Sequence, residues 1–151
     1  WEPGPRDLKL RLALFAGQRF NAKLDELAPV ELLLEDISRS ELLELYRGSD
    51  CFVLPTRGEG WGLPIAEAMA SGLPVIATNF SGTTAFLTEE NSFPLPVVQA
   101  LPGGFAEPSV KDLRRLMRQV VAAPDNARQR ALVGRRDMED FAPDRVGDIV
   151  M

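Results

Sequence analysis

The chain alternates short apolar runs with helix-forming segments, and this alternation constrains the fold more than any other feature. The runs CFVLPT (51–56) and PVIAT (74–78) are almost entirely apolar and have the length of buried strands. Between them lies a helix-forming segment with Pro64 in its first turn and Gly72 at its end. Strand, helix and strand at this spacing predict parallel βαβ units. We therefore predict an α/β fold: a Rossmann-like open parallel sheet with helices on both faces, followed by C-terminal helices.

Weaker patterns extend this architecture along the rest of the chain. A capping box, Ser38 with Glu41, precedes a helix in which Leu42, Leu45 and Tyr46 recur at spacings of three and four. The remaining predictions are strands at 8–17, 30–35 and 92–97 and helices at 21–27, 81–87, 124–141 and 143–150.

The C-terminal third changes character after residues 99–104 (QALPGG), which are predicted to be a linker. Ser109 is expected to cap a helix over 110–122, with Asp112 at its third position. One apolar stripe is predicted along that helix, formed by Leu113, Leu116, Met117, Val120 and Val121. We therefore divide the chain into a Rossmann-like domain over 1–107 and a helical segment over 108–151 that packs on it.

Composition excludes several classes of function. A net charge of −5 argues against nucleic-acid binding. The absence of histidine excludes Ser/His/Asp and Cys/His catalysis. The lone Cys51 lies in an apolar run, so we expect a core residue in a reducing compartment. No apolar run is long enough to span a membrane and no signal peptide is visible, so a cytoplasmic location is expected.

The turn RGEGWGL (57–63) lies where an open parallel sheet binds ligands, between the carboxyl end of a strand and the start of a helix. Gly58, Gly60 and Gly62 allow close backbone approach, and the helix N-terminus suits a phosphate. The turn matches neither a Walker loop nor the dinucleotide fingerprint. Glycines alone leave an ordinary flexible loop as an equal alternative.

Two carboxylates make the turn more informative. Glu59 lies in the loop and Glu67 about one helical turn beyond it, so two acceptors flank the predicted phosphate site. Sugar hydroxyls are natural partners for such acceptors, and the arrangement suits a nucleotide sugar. The residues also fit an alternative with no ligand, in which Glu67 interacts favourably with the helix dipole and Glu59 lies in a solvated loop.

Residues 50–78 closely resemble the donor-binding motif of retaining glycosyltransferases of family 4, the group 1 family with GT-B architecture. The motif places two glutamates, separated by seven residues, around G-[FW]-G-L-P, followed by E-A-M-A-x-G-x-P-V-I-A. Weaker similarity extends over nearly the whole chain. The resemblance implies the nucleotide-sugar-binding domain of a hexosyltransferase.

The resemblance also implies roles for individual residues. Glu67 would hold the ribose hydroxyls, and Glu59 would lie against the donor sugar at the catalytic centre, positioning it. Backbone amides would contact the sugar hydroxyls at Gly60, Trp61 and Gly62 and the diphosphate at Leu63. Ser81, Gly82 and Thr83 form a second candidate loop, whose contribution is open because Ala85 replaces the family's usual acidic residue.

Family members retain anomeric configuration and generally need no metal or cofactor, and this chain has no D-x-D. The implied partners are a nucleotide-sugar donor, an acceptor of unidentified class and an N-terminal acceptor domain, through which membrane association would arise. The acceptor domain and the donor domain's first strand, with its Arg and Lys, are not matched, so the 151 residues alone are expected to be inactive. The alternatives are a noncatalytic nucleotide-sugar-binding module and an epimerase-like enzyme on the same fold.

Overall fold

The computed structural model describes Leu33 and residues 36–141. The predicted elements at 8–17, 21–27 and 143–150 lie outside these residues, and only Leu33 of the strand predicted at 30–35 is described. The α-helices are α1 (Arg39–Gly48), α2 (Leu63–Ala70), α3 (Val110–Ala122) and α4 (Pro124–Met138). The strands are β1 (Phe52–Leu54), β2 (Val75–Thr78), β3 (Phe93–Leu95), β4 (Val97–Leu101) and β5 (Phe105–Pro108). Two short 3₁₀ helices cover Ser81–Ala85 and Glu139–Phe141.

Three of these strands form the predicted parallel sheet, in the order β1-β2-β3. Phe52 pairs with Val75, and Ile76 pairs with Phe93, so all three carboxyl ends lie at one edge. The central strand β2 is buried throughout, whereas β1, at the edge of the described sheet, is only half-buried. The prediction of a Rossmann-like parallel sheet with flanking helices is confirmed.

Two compact units divide the chain between Leu42 and Leu43. In the first, the predicted capping box opens α1: the Ser38 amide donates to Glu41 Oε2 at 2.7 Å, and the Glu41 amide donates to Ser38 Oγ at 3.3 Å. The five described strands, together with helices α2, α3 and α4, belong to the second unit.

The core of the second unit lies between the sheet and the C-terminal helices. Its buried members are Ile76, Phe93, Leu95, Leu116, Val120 and Ala127. Cys51 packs against this cluster, and burial, followed by the charge of Asp50, raises the pKa of its thiol to about 12. A thiol with that pKa is not a nucleophile at neutral pH, in agreement with a core role.

The predicted linker at 99–104 is wrong. Strands β4 and β5 pair antiparallel, with Leu101 opposite Phe105, and Pro102, Gly103 and Gly104 form the turn of this hairpin. Both glycines have φ 80, the conformation that a tight hairpin turn requires. The strand predicted at 92–97 accordingly divides between β3 and β4.

Helix α3 begins as predicted, because Ser109 Oγ accepts the Asp112 amide at 3.2 Å. The predicted stripe is correct for Leu116 and Val120, which are buried, and for Leu113 and Met117, which pack on the core. It is wrong for Val121, which is 55% exposed because it lies beyond the inward-facing arc. The helix predicted at 81–87 is a 3₁₀ helix of five residues.

Among the described residues, no helix combines the length and apolarity needed to cross a membrane.

Candidate functional site

Residues 57–63, called the glycine loop here, connect the carboxyl end of β1 to α2. Gly62 caps the helix in the left-handed conformation, with φ 93, and its carbonyl accepts the amides of Ile65 and Ala66. A Cβ on Gly62 would lie 3.1 Å from Ile65 Cδ1 and 3.3 Å from Thr83 Cγ2. Backbone conformation and space therefore both require glycine at this position.

Four consecutive amides of the loop are available to a ligand. In the described part of the chain, no protein acceptor is bonded by the amides of Gly60, Trp61, Gly62 and Leu63. Amides left without acceptors at the start of a helix, where its dipole is positive, favour oxygen-rich anions. Leu63 is 67% exposed, so its side chain does not close this surface.

The second candidate loop, residues 81–83, holds the glycine loop by its backbone. Ser81 Oγ accepts the Glu59 amide at 3.0 Å and donates to the Glu59 carbonyl at 2.8 Å. The Gly82 amide donates to the same carbonyl at 3.1 Å. Ser81 itself has φ 59, unusual for a residue with a side chain, and its bonds to Glu59 compensate for that strain. The 81–83 loop thus fixes the shape of the glycine loop.

Thr83 anchors the 81–83 loop to strand β2. It is fully buried, and its Oγ1 donates to the Thr78 carbonyl, at the end of β2, at 2.6 Å. The same oxygen accepts the Phe80 amide at 3.3 Å. The 81–83 loop is therefore tied to the carboxyl end of the central strand.

We expect Gly82→Ala to destroy the loop geometry, because a Cβ there would lie 2.1 Å from the Gly60 carbonyl oxygen and 2.9 Å from Trp61 Cα. Since backbone cannot yield as a side chain does, the variant should lose about 1–3 kcal/mol of unfolding free energy. Ligand binding should fall with it. The matched control is Gly48→Ala, where a Cβ meets nothing within 4 Å. Equal melting temperatures for the two variants would contradict the close approach.

Glu59, which precedes these amides in the loop, is a half-buried residue. Its backbone is fixed by Ser81 and Gly82, yet within the described residues its carboxylate pairs with no cation and accepts no hydrogen bond. A carboxylate held in this way is ready to accept hydrogen bonds from a ligand.

Glu67 lies in the second turn of α2 and is exposed to solvent. Its apolar neighbours Ile65, Ala68 and Met69 face inward and are buried, so the carboxylate is not set among them. The helix places that charge on its outer face.

Sequence analysis missed the partner of Glu67. The Tyr46 hydroxyl donates to Glu67 Oε2 at 3.4 Å, which is long for such a bond. Burial, with the charge of Glu67 and the hydrogen bond to it, raises the pKa of Tyr46 to about 12. The phenol therefore faces one carboxylate oxygen of Glu67 as a weak donor. The spacing of Tyr46 in α1 indicated only a core residue.

The β4–β5 hairpin flanks the other side of the glycine loop. The Ala106 amide donates to the Arg57 carbonyl at 2.9 Å, and Arg57 Nε donates to Glu107 Oε2 at 2.8 Å. The Phe105 ring lies 3.4 Å from where a Cβ on Gly58 would be. Because these residues were assigned next to a linker, their place beside the loop was not predicted.

The aromatic side chain of the loop packs against two other rings. The Trp61 ring centroid lies 4.9 Å from that of Phe86 and 5.3 Å from that of Phe141.

The structure brings Glu59, Gly60, Trp61 and Gly62 together with residues 81–83, while Glu67 lies one turn into the following helix. Among residues 36–141, no three His, Cys, Asp or Glu side chains cluster as metal ligands would.

Comparison with known proteins identifies one family, that of the glycosyl transferases. The family model described as "Glycosyl transferases group 1" matches residues 6–107. The chain is 42% identical to sulfoquinovosyl transferase of Arabidopsis thaliana over 50 residues, which cover 33% of this chain and 10% of that protein. It is 31% identical to D-inositol 3-phosphate glycosyltransferase 2 of Catenulispora acidiphila over 80 residues, 53% of this chain and 18% of that protein.

Among solved structures, the chain resembles sucrose-phosphate synthase from Thermosynechococcus elongatus, with a TM-score of 0.60 and 27% identity. That match covers 73% of this chain and 25% of the synthase. The chain spans less than a fifth of the length of the two curated relatives above.

Proposed function

The chain belongs to the group 1 glycosyl transferases, and we propose that its glycine loop and helix α2 bind the nucleotide-diphospho-sugar donor of a retaining hexosyl transfer. The alternative of an epimerase-like enzyme on the same fold is disfavoured by this family membership.

The observation that carries the proposal is the run of amides at Gly60, Trp61, Gly62 and Leu63 that have no acceptor among the described residues. A diphosphate offers several anionic oxygens, and a helix N-terminus supplies both donors and positive potential for them. Because the 81–83 loop fixes this backbone before any ligand arrives, the amides need little reorganisation on binding. They would equally stabilise the charge that develops on the diphosphate as it leaves.

Glu67 is proposed to accept hydrogen bonds from the ribose hydroxyls. Its place in the second turn of α2 argues against a role in the helix dipole, because that effect fades beyond the first turn. Its exposure argues against a structural role in the core. With one oxygen facing the Tyr46 hydroxyl, the exposed carboxylate remains an acceptor for a diol.

Glu59 is proposed to position the transferred hexose. Its carboxylate lies at the opposite end of the amide run from Leu63 in sequence, with no cation from the described residues to neutralise it. In the proposed reaction an acceptor hydroxyl attacks the anomeric carbon on the face from which the diphosphate departs, so that configuration is retained. The loop amides stabilise that departure with no metal or cofactor required.

The acceptor site is proposed to lie in a second Rossmann-like half. The match to sucrose-phosphate synthase covers only a quarter of that chain, and glycosyl transfer needs a donor and an acceptor in one cleft. The 151 residues of this sequence then carry part of the donor-binding half.

The test is binding without transfer. At low salt and millimolar ligand, the purified 151-residue chain should bind at least one of UDP, GDP and ADP in a calorimetric titration, since ionic contacts to a diphosphate weaken with salt. It should transfer no labelled sugar from the corresponding nucleotide sugars. Absence of binding to all three nucleotides would contradict the donor site, and sugar transfer by the chain alone would contradict the need for a second half.

A further inference from the structure

Besides the hairpin contact at Arg57 and the helix cap at Gly62, the glycine loop is held at two points. At Glu59 its backbone is bonded to Ser81 and Gly82. Beyond that point the loop runs through Gly60 to the helix cap, Gly62, and the amides along it have no acceptor among the described residues. The ring of Trp61, between the two glycines, is the natural second anchor.

Three rings form that second anchor. Trp61 packs on Phe86 in a tilted arrangement and meets Phe141 nearly edge-on, at an interplanar angle of 66°. Phe86 is buried and gives the cluster a fixed base, and its centroid lies 6.4 Å from that of Phe141. These separations and angles are the ones that attractive aromatic pairs adopt.

Phe141 reaches the loop from the far end of the described chain. It ends the 3₁₀ helix that continues α4. A Cβ on Gly134 of α4 would lie 2.8 Å from the Asn91 carbonyl oxygen, so that helix packs closely on the turn before β3. The Asn91 amide group also donates to Asp137 Oδ2 at 3.0 Å. Helix α4 is thus fixed one turn before Phe141.

Phe141 is 41% exposed, although its ring is in contact with two others. A ring that leaves so much surface in water contributes little burial to folding. Its contacts with Trp61 are therefore better explained by what they do to the loop.

We propose that Phe141 is a positioning residue for donor binding: its ring fixes Trp61, and Trp61 in turn sets the direction of the loop amides. Phe141 acts through Trp61 and touches no reacting atom. The inference rests on the proposed function of the loop, and it makes the C-terminal segment part of the donor site.

The chain contains two tryptophans, so Trp1→Phe leaves Trp61 as the only one and its emission as a direct report on the loop. In this background, Phe141→Ala should shift Trp61 emission to longer wavelength. It should also weaken binding of the preferred nucleotide among UDP, GDP and ADP by about three- to tenfold, the size of one or two aromatic pairs. Phe141→Tyr keeps the ring and should restore both properties.

The matched control is Leu132→Ala, an apolar truncation on α4 at a residue that is 59% exposed. It should leave emission and affinity unchanged, with a melting temperature close to that of Phe141→Ala. If Phe141→Ala fails to fold, Phe141→Leu replaces it in the comparison of emission and affinity with the parent, because leucine keeps apolar bulk and removes the ring.

The outcomes separate this inference from the proposed function. Equal nucleotide affinities for the parent and Phe141→Ala would overturn the positioning role alone. A lower affinity that Phe141→Tyr does not restore, with a matching fall in melting temperature, would reduce Phe141 to a structural residue. A parent protein that binds no nucleotide would overturn the proposed function and this inference with it.

Discussion

Leu116→Ala is expected to lower the free energy of unfolding by about 2–5 kcal/mol, the usual loss when a buried leucine is truncated and a cavity remains. Leu116 is 5% exposed and belongs to the core cluster that joins α3 to Ile76 of β2 and to Phe93 of β3. The 81–83 loop lies between those two strands, whose carboxyl ends lie at the same edge of the sheet as that of β1. The truncation therefore acts on the scaffold of the site.

Val121→Ala on the same helix is the control. Val121 is more than half exposed, and substitution of an exposed side chain usually changes stability by no more than about 0.5 kcal/mol. Urea denaturation followed by circular dichroism measures both variants. A change of only a few tenths of a kcal/mol for Leu116→Ala would mean that α3 is peripheral to the fold.

The elements bounded by proline, glycine and a capping residue were predictable, because each carries its own local signal. Pro64 lies in the first turn of α2, Gly72 follows its end, and Ser109 caps α3, as the sequence indicated. The apolar run of β2 needed no tertiary information, since a strand buried on both faces has little choice of composition.

The β4–β5 hairpin was not predictable by the same means. Pro102, Gly103 and Gly104 mark a turn and a linker equally well, and the flanking strands are too exposed to show alternation. Their pairing places Glu107 of β5 against Arg57 of the glycine loop, a contact between residues distant in sequence. The domain division at residue 107 remains a prediction.

The sequence predicted the loop of the candidate site but not the residues from other elements that hold this loop in place. Glycines and carboxylates in one short stretch identified residues 57–67, because their spacing is a local property. Tyr46 and Phe141 reach the site from elements distant in sequence, and nothing in one sequence indicates such contacts. The role of Ser81 and Gly82 follows from distances to Glu59 and Gly60 that only a folded chain provides.

Glu67→Ala is expected to weaken nucleoside diphosphate binding by about 1.5–3 kcal/mol, the usual contribution of hydrogen bonds to a charged group. The melting temperature of the unliganded chain should stay within experimental error of the parent, because the carboxylate is exposed and lies beyond the first turn of α2. Glu44→Ala, an exposed helical glutamate of α1, is the control and should change neither property. Lost stability with unaltered affinity would reduce Glu67 to a structural residue.

The most direct test of the donor site joins that variant to a change in the ligand. Calorimetry compares the parent and Glu67→Ala, each with the preferred nucleoside diphosphate and with its 2′,3′-dideoxy analogue. If Glu67 binds the ribose diol, the parent should lose about tenfold or more in affinity when the hydroxyls are removed, and Glu67→Ala should bind both ligands alike. An equal loss for the two proteins would show that the ribose hydroxyls are bound elsewhere and would contradict the assignment of Glu67.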